Sequence, residues 1–418
     1  SAASDVYKRQ TPDKSFLKKF IPYSGMLNMD EVEDIEKVWD AIAKKLSTNK
    51  EHLKKQVLPL QAIYSIGDHS RSLLFALSDG ALPSNVGGGH NLRVILRRSL
   101  SFIEKFSWDV ELQKVIEEHA KYLMPQYPEL KEDIDNICQI ISYEMDKFEN
   151  TKEKSRRIVE RLNTKGEELS EDKLIELYDS HGITPEVMGL KSPKDFYKRV
   201  TERHEKKGSG DREKEIHYDL PDTERLYYDG ITRFSAKVLD ISGNIAILDK
   251  TAFYPESGGQ EGDRGALNDC PVSYTKVSGN VILHIMEKID FKKGDIVNGI
   301  VDEERRLNLT RHHTATHIIN GVCRQILGNH IWQAGAEKTE EKARLDITHY
   351  KLIDNKDLFK IEKISNEIVL KNLPIEKGFF SRAEAEKRYG FRLYQGGAVP
   401  GKKLRVVNVK GLDVEACG

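Results

Sequence analysis

Cysteine is scarce: Cys138, Cys270, Cys323 and Cys417 are the only four in 418 residues. They are scattered along the chain, which argues against a disulfide framework and reads as reduced thiols of a cytoplasmic protein. A surplus of charge is also lacking. The 66 basic residues are balanced by 67 acidic ones, so net charge gives no footprint for nucleic acid and any RNA-binding surface must be a local patch. Aromatic residues are 8% of the chain against 32% charged, a balance that suits a helix-rich soluble protein. No apolar run is long enough to cross a bilayer, and no basic-then-apolar signal opens the chain. No membrane partner is therefore expected.

The length admits two to four domains, each with its own core. Both ends read as cut. The chain starts with Ser1, and "SAASDVYKRQ", residues 1–10, bears no relation to the residues after it, so it reads as a non-native leader. The other end stops at "DVEACG", as a window onto a longer protein would.

From about residue 31 to about 210 apolar positions recur at spacings of three and four, as in "DEVEDIEKVWDAIAKKL". "DHSRSLLFALSDGALPSN" predicts a helix with Asp68 as N-cap, ended by Gly80 and Pro83. "NLRVILRRSLSFIEKF" predicts another. The polar, glycine-containing stretch 202–217 reads as a linker. Short β-rich runs come next ("RFSAKVLDI", "NIAILDK", "VSYTKV", "NVILHIM", "DIVNGIV"), split by Gly, Asp, Asn and Pro, and predict a small antiparallel barrel or sandwich. From about residue 302 helices ("EERRLNLTRHHTATHIINGVCRQIL", "DLFKIEKISNEIVLKNL") mix with strands ("IWQAGAEK", "KARLDITHY", "LRVVNV"), as an α+β domain requires. The expected fold class is multidomain α+β.

"RHHTATHIIN" carries the chemistry. His313 and His317 are four apart on a helix, so their imidazoles leave one face with Cβ atoms about 6 Å apart. Two ordinary solvated or core histidines are the bland alternative. Against it stand His312 beside the pair, the hydroxyls of Thr314 and Thr316, and the late Cys417, which would bring a thiolate at the start of a turn. Zinc accepts His₂Cys plus one more group in a tetrahedral site. The Glu of the H-E-x-x-H proteases is absent. Upstream, "TAFYPESGGQEGDRG" has Gly258, Gly259 and Gly262, which permit tight turns. Alone it is a glycine-rich β-loop, with no lysine to make it a P-loop.

Together "HHTATH", "TAFYPESGGQEGDRG" and "DVEACG" resemble the editing half of the alanyl-tRNA synthetases. The family's last motif runs C-G-G-T-H, so the resemblance places the fourth ligand, a histidine, just past Gly418. It implies that His313, His317 and Cys417 hold zinc. It also implies that Thr316 senses the hydroxyl of a wrongly attached serine and that Gln333, in "IWQAG", lines the same pocket. The alternatives are an ordinary helix threonine and an exposed strand residue. The implied chemistry answers a physical need, because an apolar alanine pocket cannot strongly reject an added hydroxyl and a second site must correct the error.

"DGALPSNVGGGHNLRVILRRSL", residues 79–100, resembles the start of the family's tRNA-recognition region in its archaeal form. Arg93, Arg97 and Arg98 are read on one side of a helix where they could meet phosphates, which fix register without reading sequence; ion pairs with acids such as Glu104 are the alternative. Asn85 matches the family position that reads the G·U wobble pair of the acceptor stem, and Asp179, in "LYDSHG", its partner on the other groove face. An amide donates and accepts at a base edge, while a carboxylate accepts from an exocyclic amine. A turn Asn and a loop-capping Asp are the plain alternatives.

The resemblance divides the chain into the end of a class II aminoacylation module (11–78), a helical tRNA-recognition domain (79–210), a β-barrel (211–301) and an α+β zinc-containing editing domain (302–418). Alanine, ATP and Mg²⁺ would be used only by the full-length protein, since the family's class II active-site motifs belong before residue 1. "GGGHNLR" only imitates one of them. The implied partner is tRNA(Ala), with a homodimer contact in a C-terminal region beyond Gly418. Two other functions compete. A free-standing trans-editing deacylase shares the barrel and zinc domain but lacks the helical half. An RNA-binding module with a saturated structural zinc would hydrolyse nothing.

Overall fold

The computed structural model describes residues 14–27, 35–85, 87–165, 170–181, 196, 199, 218–395 and 401–417. The expected leader, the linker 202–217 and Gly418 lie outside the described residues. The chain divides into two compact units, Ser1–His204 and Glu205–Gly418.

The first unit is helical: α1 (Lys14–Phe20), α2 (Ile35–Lys45), α3 (Lys50–Ser78), α4 (Gly87–Lys105), α5 (Leu112–Leu123), α6 (Glu129–Glu132), α7 (Ile134–Lys165) and α8 (Glu171–His181). The expectation for α3 needs correction. Asp68 is not its N-cap; the helix begins 18 residues earlier, and Asn49 caps it by accepting from the His52 amide at 2.7 Å. Asp68 lies within the helix and pairs with Arg71 at 2.6 Å. Leu53 and Val57 are buried with Trp39 and Ile42, and beyond Pro59 a stripe on another face of α3 buries Ala62, Ile66, Leu73 and Leu77. Burial on both sides carries the helix across Pro59, which supplies no N–H and crowds the preceding turn.

The second unit mixes antiparallel sheets with helices. Six strands, β2 (Arg233–Ser242), β3 (Ile245–Leu248), β5 (Gly265–Leu267), β6 (Cys270–Ser278), β7 (Val281–Met286) and β8 (Ile296–Val301), run in the order β2-β3-β7-β6-β5-β8. Strand β8 pairs back with β2, from Arg233 opposite Ile300 to Lys237 opposite Ile296, so the sheet closes into a barrel. Alternation fills it: Val297 and Val301 of β8 point in with Ala236, Val238, Leu248, Phe253, Leu267 and Met286. Short β1 (Glu224–Arg225) and β4 (Lys250–Thr251) pair in parallel beside it.

After the barrel, Asp302 caps helix α9 (Glu303–Leu327) by accepting from the Arg305 amide at 3.0 Å. One face of α9 buries Ile318 and Val322 against Ile361 and Ile368 of α10 (Asn355–Lys371). Strands β9 (Gln333–Lys338) and β10 (Ala343–Ile347) pair as a hairpin. Strands β11 (Ile375–Ser381), β12 (Lys403–Val409) and β13 (Asp413–Ala416) form a second antiparallel sheet, covered by α11 (Arg382–Tyr389) through Ala385, Leu404 and Val406. No described helix is long and apolar enough to cross a membrane.

Candidate metal centre

Two elements build the centre. Helix α9 supplies His313 and His317, whose rings stack with centroids 5.3 Å apart and planes 4° apart, as two residues one helical turn apart should. Strand β13 runs beside it and leads directly into Cys417, whose amide donates to the Arg405 carbonyl at 2.9 Å. The Cys417 Sγ lies 3.1 Å from His313 Nε2. The possible ligand atoms of His313, His317 and Cys417 all lie within 4.8 Å of one another. Cys417 thus reaches the histidines from a strand end, where the sequence suggested a turn.

Each imidazole is oriented through its other nitrogen. His313 Nδ1 is 2.8 Å from Gln260 Oε1. An amide oxygen only accepts, so Nδ1 donates to it, and Nε2 is the nitrogen left facing the sulfur, open to a metal once it gives up any proton of its own. His317 Nδ1 lies 3.1 Å from Asp413 Oδ2 and 3.2 Å from Glu415 Oε2. Arg324 donates to the other oxygen of Asp413 at 3.2 Å, and Asn320 donates to Glu415 at 2.9 Å. Gly321 brings α9 close to the β12–β13 turn, since a Cβ there would stand 2.8 Å from the Leu412 Cγ.

The electrostatics favour a thiolate. Burial pushes the Cys417 thiol up, but His313 and His317 beside it outweigh burial and hold it well below the ordinary value. Burial pushes His317 down, yet its bonds to Asp413 and Cys417 and the charge of Glu415 carry it above the usual histidine range. Glu415 is pushed up to about 7 by burial. Two imidazoles and a thiolate, each oriented by its neighbours, are a borderline-soft donor set that fits zinc. Metal binding would release the proton shared among His317 and its neighbours.

The glycine loop joins the same centre. Gly259 has φ +73°, and a Cβ on it would lie 1.9 Å from the Ala336 carbonyl oxygen of β9, so only glycine fits. The Lys338 amide donates to the Gly259 carbonyl at 2.7 Å, and the buried Lys338 Nζ donates to that of Gly258 at 2.8 Å.

The remaining expected residues of this unit are placed less centrally. His312 turns away from the pair, with Nδ1 2.8 Å from the Thr339 carbonyl oxygen. Thr316 is buried beside the histidines, and its hydroxyl donates to the His312 carbonyl at 2.8 Å, the ordinary bond of a helix threonine. Gln333 opens β9 and is half-buried, and its backbone N–H donates to Gln395 Oε1 at 3.1 Å.

In the helical unit one expectation is overturned. Arg93 does not share an exposed face with Arg98. It is buried, and its guanidinium forks onto Glu144 with bonds of 2.9 and 2.8 Å, donates to the Pro83 carbonyl at 3.1 Å, and donates to Asn85 Oδ1. Residues 93 and 98 are five apart, which on a helix places them on different faces. Arg97 is half-buried with its guanidinium over the Phe148 ring, and Arg98 is exposed, with its own over the Phe102 ring. Glu104, offered as the arginines' partner, pairs with Lys152 at 2.5 Å instead. Asn85 is exposed at a bend. Asp179 falls within α8, and its side chain lies outside the described residues.

Gln260, Asp413 and Glu415 escaped the sequence reading. A signal existed for two of them: "DVEAC" places Asp413, Glu415 and Cys417 at every second position, hence on one face of an extended strand. Gln260 left no such signal.

The family model described as tRNA synthetases class II (A) matches residues 5–305, so the chain belongs to that family. The match begins within the expected leader and ends before His313. Within that class, relatives named Alanine–tRNA ligase match nearly the whole chain. The protein of Methanocella arvoryzae is 44% identical over 97% of this chain and 47% of its own length. Those of Pyrococcus furiosus (38% identical, 97% and 47%) and Methanosarcina barkeri (41%, 94% and 45%) are similar. These relatives bear out the resemblance to archaeal-type alanyl-tRNA synthetases. The chain spans about half the length of the curated relatives it matches.

Proposed function

We propose that the chain is part of an alanine–tRNA ligase and that its second unit hydrolyses tRNA(Ala) mischarged with serine or glycine. The observation that carries the editing reading is the convergence of His313 Nε2, His317 and Cys417 Sγ in a centre whose imidazoles are both held from behind. His313, His317 and Cys417 would hold zinc, with Asp413, Glu415 and Gln260 around them; the fourth position belongs to a further protein group. Zinc, when bound, supplies Lewis acidity or an anchor for the RNA terminus. In the reaction, water adds to the ester carbonyl, the bond to the ribose oxygen breaks, and that oxygen takes up the proton.

Thr316 has its hydroxyl hydrogen engaged with the helix backbone, so it is left to accept a hydrogen bond from a serine hydroxyl, which alanine lacks. Gln333 lines the pocket in this reading. Residues 79–210 bind the acceptor stem, with Asn85 and Asp179 at the wobble pair and Arg97 and Arg98 near phosphates; the buried Arg93 holds Asn85 in place from its Nη1. Residues 11–78 end the aminoacylation module, 211–301 form the barrel domain and 302–418 the editing domain. The full-length protein uses alanine, ATP and Mg²⁺, acts in the cytoplasm, and pairs as a homodimer through its C-terminal region.

The test is hydrolysis of Ser-tRNA(Ala) by the intact chain with one equivalent of zinc. Turnover above buffer, abolished by chelation, is expected. Stoichiometric zinc with no turnover would favour the structural-zinc alternative.

A further inference from the structure

We infer that Gln260 is a positioning residue for the metal centre: its amide oxygen fixes the tautomer and ring plane of His313. This rests on the zinc reading above. Gln260 is 4% exposed, and its Oε1 meets His313 Nδ1 at 2.8 Å. A neutral imidazole has one proton, and an acceptor at Nδ1 keeps it there, so the lone pair stands at Nε2, the nitrogen that faces Cys417 Sγ at 3.1 Å. His317 is served in the same way by a carboxylate, Asp413. The two ligands are therefore held by different chemistries, one charged and from β13, the other neutral and from the barrel's glycine turn.

The turn is built to deliver the amide. Ser257 and Gln260 exchange backbone bonds of 3.1 and 3.0 Å, which closes the turn around Gly258 and Gly259. Lys338 of β9 fixes it from the other side through both of its nitrogens. The Glu261 amide donates back to the Lys338 carbonyl at 3.1 Å. Every bond of this clamp places the side chain of Gln260 against α9. Outer partners of this kind change metal affinity by about 10–100-fold when removed. The barrel thereby acts on the metal centre without contributing a ligand.

Two variants of the full chain separate an acceptor from a filler. Gln260→Met keeps length and removes the acceptor. Gln260→Glu keeps an oxygen acceptor. Zinc affinity is read by competition with a chromophoric chelator. In parallel, the His313 Nδ1 proton is read in spectra of zinc-loaded chain carrying ¹⁵N-histidine. Q260M is expected to bind zinc about 10–100-fold more weakly and to lose the Nδ1 proton signal to solvent exchange; Q260E is expected to retain both. If Q260M matches the wild type in affinity and signal, the role of Gln260 is overturned while the zinc reading stands. If Q260M and Q260E fall equally, Gln260 is a filler and its acceptor role is overturned. If the wild type itself takes up no zinc, the metal reading fails and this inference with it.

Discussion

Glu144→Ala tests whether Arg93 is a buried ion-pair partner or an RNA contact. The side chains of Arg93 and Glu144 are 8% and 3% exposed, and the guanidinium meets the carboxylate with two bonds. Lys147, at 3.6 Å from Glu144, is 46% exposed and remains solvated. Removing the carboxylate leaves a buried guanidinium with only the Pro83 carbonyl and the Asn85 amide oxygen. Breaking a buried pair from one side costs about 3–5 kcal/mol. At a factor of ten for every ~1.4 kcal/mol, amides of α4 and α7 that exchange through opening of this helix pair should exchange roughly 100- to 4,000-fold faster. Native-state hydrogen exchange read on peptides from the two helices measures this directly. The double variant Arg93→Met/Glu144→Leu should recover most of the loss, since an apolar pair of similar volume replaces the ions without leaving a charge behind. A loss under about 1 kcal/mol, the worth of a surface pair, would refute the burial argument. So would Arg93→Gln weakening tRNA binding, with a shallower salt dependence but unchanged exchange, which is how a phosphate contact behaves.

Two further outcomes are expected. His317→Ala should abolish stoichiometric zinc by metal analysis, because it removes one of three oriented donors; a variant that keeps one zinc per chain would show that His317 is not a ligand. In the barrel, His284 donates from Nδ1 to the Ala246 carbonyl at 3.1 Å, accepts from the Thr251 hydroxyl at 2.8 Å, and is lowered by burial from 6.5 to about 4. Between those values the unfolded chain binds the proton more readily, so stability rises with pH and is lost as pH falls from 6.5 through 4. The full loss is on the order of 3 kcal/mol. His284→Gln should flatten the urea-midpoint profile across that window, though His330, also pushed down to about 4 by burial, keeps part of the slope. An unchanged profile in H284Q would contradict the assignment.

Much was legible where a local pattern and a tertiary role coincide. The span "EERRLNLTRHHTATHIINGVCRQIL" is the helix α9 to the residue, because its period and the Asp302 cap agree. The barrel strands were readable from alternation and turn residues, and their closure depends on β8 meeting β2 from far along the chain, which no local pattern encodes. Asp68 misled because Ser, Asp and Asn favour caps on average, while the buried stripe of α3 simply continued past it.

By itself the sequence determined that α9 carries two imidazoles one turn apart, that a late cysteine is available to them, and that glycines crowd the loop before β5. Only the tertiary structure decided which groups stand behind those imidazoles and which arginine is lost to the interior. Gln260 and His313 are 53 residues apart, Arg93 and Glu144 are 51 apart, and His317 and Asp413 are 96 apart. Helical and strand periods propagate over a few residues. Contacts at such separations exist only once the hydrophobic cores have brought distant elements together, and a polar residue's role is set by the partner it finds there.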